Sequence, residues 1–446
     1  MAEQQVISIT TEYIKLEALL KLANLVGSGG GGQGPHPGGP GLCQRGRVYH
    51  AGEEAPPRGP CHLPGAGALG AMRVCSISLD GFRNYTQFSA QFSPGVNVIW
   101  GENAQGKTNL LEAIGFLAGA RSHRARGDKE LIAFQRTQGT ITAQVESRGR
   151  DFLIQAQLFR GARRKLFVNH VKLKTAGELS EILQTVLFCP EDLALIKAGA
   201  AERRTFLDRA ICQLRPRYAE ALSQYQKLLD HKTRILRDWE KNPSLLEVLE
   251  DFNEAMARAG ALVIHYRAHF IRKLAEKAQI IQREFSGGGE ELALSYQTVR
   301  TVTDPLGPTV TLYEALREHQ NSHRRAELEA KSCLSGPHKD DLLAAINGQP
   351  ARQFASQGQT RTAALSLKLA EREIFQEDTG QWPILLLDDV LSELDQRRQD
   401  FVLGRITGGQ VFITGCQPPE AGTFPGNSLH IVQGTLADAG AADDLA

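Results

Sequence analysis

One stretch limits what this chain can fold into more than any other: Gly101-Glu102-Asn103-Ala104-Gln105-Gly106-Lys107-Thr108. A glycine, four free residues and then Gly-Lys-Thr is the spacing of a phosphate-binding loop. Ahead of it, Val96-Asn97-Val98-Ile99-Trp100 is a short apolar, β-branched run that reads as a buried strand. Behind it, residues 109–117 put Leu110, Leu111, Ile114 and Leu117 at helical spacing. A strand, a glycine-punctuated turn and a helix start are what a nucleotide's phosphates require. Backbone N–H groups point into the loop and the positive end of the helix dipole adds to them. Lys107 is expected to reach the β- and γ-phosphates, and the Thr108 hydroxyl to ligate Mg2+.

The acidic half of such a site lies far downstream. Trp382-Pro383-Ile384-Leu385-Leu386-Leu387 reads as a fully apolar strand ending at Asp388-Asp389. A carboxylate at the carboxyl end of a buried strand can hold the Mg2+ that bridges the β- and γ-phosphates, which assigns Asp388 to the metal beside Thr108. Asp389 is placed to orient or deprotonate the attacking water. Lys107, Asp388 and Asp389 are thus the candidate catalytic residues. Lys107 and Asp388 stand 281 positions apart, more than a simple GTPase or kinase core uses. A large insertion must split one ATPase domain into two sequence halves.

The insertion is helical. From about Ala201 to Phe285 the apolar period is that of a helix, with Leu222, Leu229 and Leu236 repeating every seven residues. Asn242-Pro243 breaks the pattern and restarts it, as an N-cap with proline at the first helical position would. Leu245, Leu249, Phe252, Met256, Val263, Phe270 and Leu274 then share one face. Some forty residues at 1.5 Å each reach about 60 Å, which predicts an antiparallel helical arm over 201–330 rather than an element inside a compact nucleotide domain. Gly287-Gly288-Gly289 closes it.

Around this insertion the pattern is that of an α/β sheet. Residues 73–79 alternate as a strand, Phe82-Arg83-Asn84-Tyr85 turns into a second strand, and residues 140–171 alternate as an antiparallel addition to the sheet. Val186-Leu187-Phe188-Cys189 and Val411-Phe412-Ile413-Thr414 are continuous apolar runs, as buried strands are. The ATPase head is therefore expected to comprise 72–200 and 331–446. A helix is expected near 311–330, a strand near 342–346 and a helix over 363–375.

Phe354 to Thr362 offers Ser356, Gly358 and Gln359 before the start of that last helix, again a set of donors for an anion. The phosphate loop already fills that role within one molecule. The economical reading has Ser356, Gly358 and Gln359 cap the γ-phosphate of a nucleotide held by a second copy, with Leu391-Ser392-Glu393-Leu394-Asp395 lining the same seam.

Charge and cysteine content exclude several classes. With 51 Lys and Arg against 50 Asp and Glu the chain is not a polycation, so binding to nucleic acid needs a local patch. Residues 121–174 supply one, with thirteen Lys/Arg against four Asp/Glu. The seven cysteines show no Cys-x-x-Cys pair, which predicts reduced thiols and no zinc site. With no membrane-length apolar run and no signal peptide, a cytoplasmic protein is expected. Residues 1–26 carry a β-type run (Val6 to Thr10) and an amphipathic helix, and residues 27–70 are dominated by Gly, Pro and Ala and cannot build a packed core. Strong globular patterning opens only at Met72.

Taken in order, Phe82-Arg83-Asn84-Tyr85, Gly101 to Thr108, Ser122-His123-Arg124, Pro190-Glu191-Asp192-Leu193, Arg203-Arg204-x-Phe206-Leu207-Asp208, Gly336-Pro337-His338-Lys339-Asp340-Asp341, Ser356 to Gln359 and Leu385 to Asp395 resemble the RecF family of bacterial DNA replication and repair proteins, relatives of the SMC type of ABC ATPase. The resemblance runs from Met72 to about Ile431. It implies an ABC-type ATPase head with a mixed sheet, two molecules paired head to tail around two ATP, and a grip on duplex DNA that favours gapped single-strand/double-strand junctions. With RecO and RecR as partners such a clamp would help load RecA, slow hydrolysis releasing it. Arg83 joins the nucleotide-contacting set on the same ground. Residues 1–71 begin like a small S4-type RNA-binding protein and are expected to be a neighbouring reading frame joined on, ahead of a genuine start at Met72.

Three departures stand out. Asp389 replaces the glutamate of many ABC ATPases, Gly415-Cys416-Gln417 has no histidine to sense the γ-phosphate, and the glutamine of the loop coupling nucleotide to arm is either Gln135 or Gln138. DNA phosphates need only Lys or Arg, and the candidates are Arg121, Arg124 and Arg126, and Arg163, Arg164 and Lys165. The His338 to Asp341 cluster reads as a structural or nucleotide-sensing loop rather than a metal site. A transport ATPase subunit would lack the arm, and a structural SMC protein would need a far longer coiled coil. A non-hydrolysing DNA-binding scaffold is the competing reading.

Overall fold

The computed structural model describes residues 41–42, 48–49, 72–406, 408–418 and 426–437. Gly41–Leu42 pairs antiparallel with Val48–Tyr49 in a unit separate from residue 68 onward. The strand and helix expected over residues 6–25 lie outside the described residues.

A six-stranded sheet positions the site. Its order is Thr185–Phe188, Ile384–Leu387, Val411–Gly415, Val96–Trp100, Gly426–Val432 and Thr435–Leu436. All neighbours are parallel except the last pair, which turns back as an antiparallel edge. The continuous apolar runs follow from burial on both faces. Ile384, Leu386 and Phe412 face one hydrophobic cluster, while Leu385, Leu387, Val411 and Ile413 face another.

On the first face lies the helix Lys107–Leu117, and beyond it a second, wholly antiparallel sheet. That sheet runs Tyr85–Gln91, Arg73–Phe82, Gln138–Ser147, Arg150–Phe159, Lys165–Val168 and Val171–Lys172, so the expected alternation over 140–171 is realised as three strands and a short fourth. Its inward residues Ile77, Leu79, Ile141, Val145, Ile154 and Leu158 pack with Leu110, Leu111, Ile114 and Leu117 of the helix. Each such side chain contributes about 1.5–3 kcal/mol on burial. Gln410, fully buried, clamps the two sheets together: its side chain accepts from Val74 N at 2.8 Å and donates to Val74 O at 2.9 Å and Ser93 O at 2.8 Å.

The second face carries the inserted helices Ala200–Leu214, Pro216–Asp238 and Leu249–Phe285, together with Gln357–Thr379. The 37-residue helix Leu249–Phe285 spans roughly 55 Å. It is not free along its length. Phe270, Ile271, Leu274, Ala278 and Ile281 belong to the core of the head, whereas Leu249, Met256 and Ala259 close a smaller cluster with Tyr225, Ile235 and Leu236. Asn242-Pro243 opens a 3-10 turn, Pro243–Leu246, and the α-helix itself starts only at Leu249. Gly287 and Gly288, at φ 64° and 87°, end it with a conformation that side chains disfavour. Thr309–Ala330 packs back along it.

After the long helix, Leu292–Gln297 pairs antiparallel with Asp341–Ile346. The helix expected over 363–375 begins earlier, at Gln357, because Ser356 and Gln359 form a capping box. No helix among the described residues is long and apolar enough to cross a membrane.

Candidate functional site

The phosphate loop occupies the turn between Val96–Trp100 and the helix from Lys107. Two glycines are required by geometry. Gly101 sits at φ +149°, where a Cβ would lie 2.3 Å from the Ile431 carbonyl oxygen; Gly106 sits at φ +116°, where one would meet the Asn84 amide at 2.6 Å. The helix starts without a side-chain cap, which leaves its first N–H groups for an anion. The loop is held from outside. Tyr85 OH donates to Gly106 O at 2.8 Å, Asn84 Nδ2 to Gln105 O at 3.0 Å, and Gly434 N to Gln105 O at 3.1 Å. Lys107, almost buried, folds its Nζ onto the carbonyls of Gly101 at 2.6 Å and Glu102 at 2.8 Å. Asn103 accepts a contact from the Cys416 thiol at 3.3 Å, and Ala104 takes a left-handed φ of 65°.

Asp388 arrives from the neighbouring strand but one. Its Oδ1 accepts from Thr108 Oγ1 at 2.9 Å and from Thr414 Oγ1 at 3.0 Å. Burial raises its carboxyl above the ordinary aspartate range, against the pull of those two hydroxyls and of Arg124, with Asp389 adding repulsion. A buried carboxylate and a hydroxyl in contact form a hard oxygen donor set, which fits Mg2+. Asp389 follows at φ 54°, its N–H donating to Thr414 Oγ1 at 2.8 Å, and its carboxylate accepts from Ser392 Oγ at 3.3 Å. Thr414 therefore ties both aspartates to the strand Val411–Gly415. Sequence reasoning missed it, although a threonine ending a buried strand beside an acidic strand end was a readable signal.

The remaining candidates divide. Ser356, Gly358 and Gln359 are not joined to the loop by any hydrogen bond among the described residues. Ser356 Oγ accepts from Gln359 N at 3.2 Å, Gln359 Oε1 accepts from Ser356 N at 3.0 Å, and Gly358 O accepts from Arg398 at 3.0 Å. Arg83 donates to both oxygens of the fully buried Glu112 at 2.8 Å and to Glu130 O at 2.9 Å. Contact of Arg83 with nucleotide would compete with that ion pair. Neither Gln135 nor Gln138 lines the cavity of about 800 Å3 beside Thr108, Asp388 and Asp389; Glu191, Asp192 and His123 do. Of the DNA candidates, Arg164 is spent on Asp128 at 3.0 Å, on Ala120 O and on the Phe116 ring, while Arg126, Arg163 and Lys165 are exposed. The His338 to Asp341 loop is bound by the helices around it, although Asp340 Oδ1 is left buried without a partner among the described residues. Tyr225 OH meets His338 Nδ1 at 2.6 Å, Asp340 pairs with Arg267, and Asp341 takes Arg203 at 2.7 Å.

A parallel sheet with a phosphate loop and an acidic strand end, backed by an antiparallel sheet and split by a helical insertion, defines a nucleotide-binding head of the SMC type. The family model for the RecF/RecN/SMC N terminal domain matches residues 73–419. Proteins named DNA replication and repair protein RecF are similar over most of their length. That of Acetivibrio thermocellus is 38% identical over 343 residues, 77% of this chain and 93% of the relative, and that of Listeria innocua is 40% identical over 349 residues, 77% and 92%. A solved structure of the recombination mediator protein RecF with ATP, in the RecFOR pathway, superposes with a TM-score of 0.77 at 34% identity, covering 83% of this chain and 98% of that one. The chain belongs to the RecF family.

Proposed function

We propose that this protein binds ATP with Mg2+ and, so loaded, pairs head to tail with a second copy to close on DNA, double-stranded or at gapped single-strand/double-strand junctions. The observation that carries the reading is the contact of Thr108 with Asp388 beneath an uncapped helix start. Bound there, Mg2+ would neutralise charge between the β- and γ-phosphates. Gly101 to Thr108 would cradle the phosphates, with Lys107 leaving its own loop carbonyls for phosphoryl oxygens. Asp389 would hold the attacking water. Ser356, Gly358 and Gln359 would complete the site of the other copy, the Ser356 hydroxyl still having its own proton to donate. The similar solved protein acts in the RecFOR pathway, which supports RecO and RecR as partners in loading RecA, with slow hydrolysis releasing the clamp. The head would comprise residues 72–200 and 331–446, and 201–330 the helical arm.

Sedimentation with ADP, with ATP, and with ATP plus gapped duplex tests this. ATP with gapped duplex should give a dimer on DNA and ADP a monomer; a monomer under all three conditions overturns the reading. The short, left-handed Asp389 favours a second reading, a scaffold that binds ATP and DNA without turnover. Absence of phosphate release with gapped duplex present would decide for it.

A further inference from the structure

The two stretches expected along the seam, Ser356 to Gln359 and Leu391 to Asp395, are stitched together by one side chain. Arg398 stands in the first turn of the helix Gln396–Arg405, which Asp395 caps by accepting from the Arg398 N–H at 3.0 Å. Its guanidinium reaches across to the start of the helix Gln357–Thr379. Nη2 donates to Gly358 O at 3.0 Å and to Thr362 Oγ1 at 3.2 Å, and Nε to Thr362 Oγ1 at 3.3 Å. Nη1 pairs with the Asp395 carboxylate. The guanidinium also lies over the ring of Phe285, the last residue of the long inserted helix, 5.5 Å from its centroid. Arg361 adds a second stitch, donating to Glu393 O at 2.8 Å. Only 19% of the Arg398 side chain is exposed, so the planar fork is held in one orientation. The placement runs against local preference, because a cation in the first turn of a helix opposes the positive end of its dipole. Arg398 does this at two helix starts at once, and Asp395 offsets part of the cost. A γ-phosphate brought to Ser356 by a second copy would supply further negative charge.

Resting on the paired-copy reading above, we propose that Arg398 is a positioning residue acting across the pair: it sets the Ser356 to Gly358 turn of its own chain to receive the γ-phosphate held by the phosphate loop of the other copy. Its bonds to Gly358 and Thr362 fix the turn, and its bond to Asp395 fixes the guanidinium. Asp395 ends the loop that begins at Asp389, where Ser392 Oγ donates to Asp389 O at 2.7 Å. Closure on the second copy's nucleotide therefore loads both seam segments together rather than the turn alone.

The test compares the full chain with Arg398→Ala and Arg398→Lys, measuring ATP affinity of the dilute chain by calorimetry, pairing on gapped duplex by sedimentation, and phosphate release with Mg2+ and gapped duplex. ATP affinity should stay within about twofold, because none of the Arg398 bonds among the described residues reaches its own phosphate loop. ATP-dependent pairing and phosphate release should fall about tenfold or more in Arg398→Ala. Arg398→Lys, a point charge without the fork, should recover only part of the loss. The deciding arm mixes Arg398→Ala with Lys107→Met, each silent by itself. Half the pairs in an equal mixture join an intact phosphate loop to an intact Arg398 at one of their two sites, so about a quarter of wild-type release should return. A merely structural defect in the Arg398→Ala chain could not be mended by a partner that binds no ATP. Unchanged release in Arg398→Ala overturns the proposal, as does a mixture as silent as its components, which would confine the arginine's effect to its own chain. Lowered ATP affinity of the single Arg398→Ala chain also overturns it. Should the wild type pair without releasing phosphate, Arg398→Ala pairing as tightly as wild type overturns it. A wild type that stays a monomer with ATP and gapped duplex overturns the paired-copy reading itself.

Discussion

Thr108 Oγ1 donates to Asp388 Oδ1 across 2.9 Å, joining residues 280 positions apart in sequence. The strand Val411–Gly415 lies between the strand leading to Thr108 and the one ending at Asp388, and its Thr414 bonds the same carboxylate oxygen.

Lys107→Met should keep the fold and lose the nucleotide. Among the described residues its Nζ bonds the carbonyls of its own loop, and methionine keeps the apolar stem that is buried there. Loss of a charge-assisted bond worth about 1.5–3 kcal/mol should weaken ATP binding at least about tenfold and remove ATP-dependent dimerisation on DNA. Calorimetry and sedimentation check this; unchanged DNA affinity with ATP would refute it.

Asp388→Asn separates stability from chemistry. The native carboxyl is raised by burial, so the folded chain binds its proton more tightly than the unfolded chain. Ionisation then costs stability, starting as pH rises past the unfolded carboxyl's value of about 3.9 and complete above the folded one. Asparagine keeps the acceptor for Thr108 and Thr414 and removes the charge. The nucleotide-free variant should therefore melt above wild type at pH 7, the gap closing toward pH 4, while Mg2+-dependent hydrolysis is lost. Melting curves across that range decide it.

Arg83→Ala distinguishes a structural from a nucleotide role. It strands Glu112, which is fully buried, and should cost roughly 3 kcal/mol in denaturant unfolding. Adding Glu112→Gln should recover much of that loss. If Arg83→Ala instead leaves stability unchanged and weakens only ATP binding, the arginine serves the nucleotide.

Gly101→Ala should fail through the backbone. Its Cβ would stand 2.3 Å from Ile431 O, so either the loop or the strand Gly426–Val432 must move. A loss of about 1–3 kcal/mol, with ATP binding abolished, is expected by thermal melting and calorimetry.

Much of this was readable in the chain. Gly101 to Thr108 and the apolar run into Asp388 announced themselves because local chemistry dictates them: glycines at two crowded turns, and a strand buried on both faces. The unreadable parts are relations between distant segments. Gly426–Val432 buries only Leu429 and Ile431, too thin a pattern to signal a parallel strand. Ser356-x-x-Gln359 offers donors to an anion, and the same spacing is also a capping box that starts the helix at Gln357, a double use that the sequence pattern alone does not separate. Arg83 gave no sign of Glu112, because the turn that carries the arginine and the helix that carries the carboxylate meet only in the folded head.

The strand Val96–Trp100 lies between Val411–Gly415 and Gly426–Val432, both delivered late in synthesis. Until the ribosome has released them, that strand has two bare edges and the turn after it has no backing from Gly434. A nascent chain must therefore carry this strand unpaired while the roughly 300 residues between Trp100 and Val411 are made, and the turn that is to grip a triphosphate gains its brace only with Gly434.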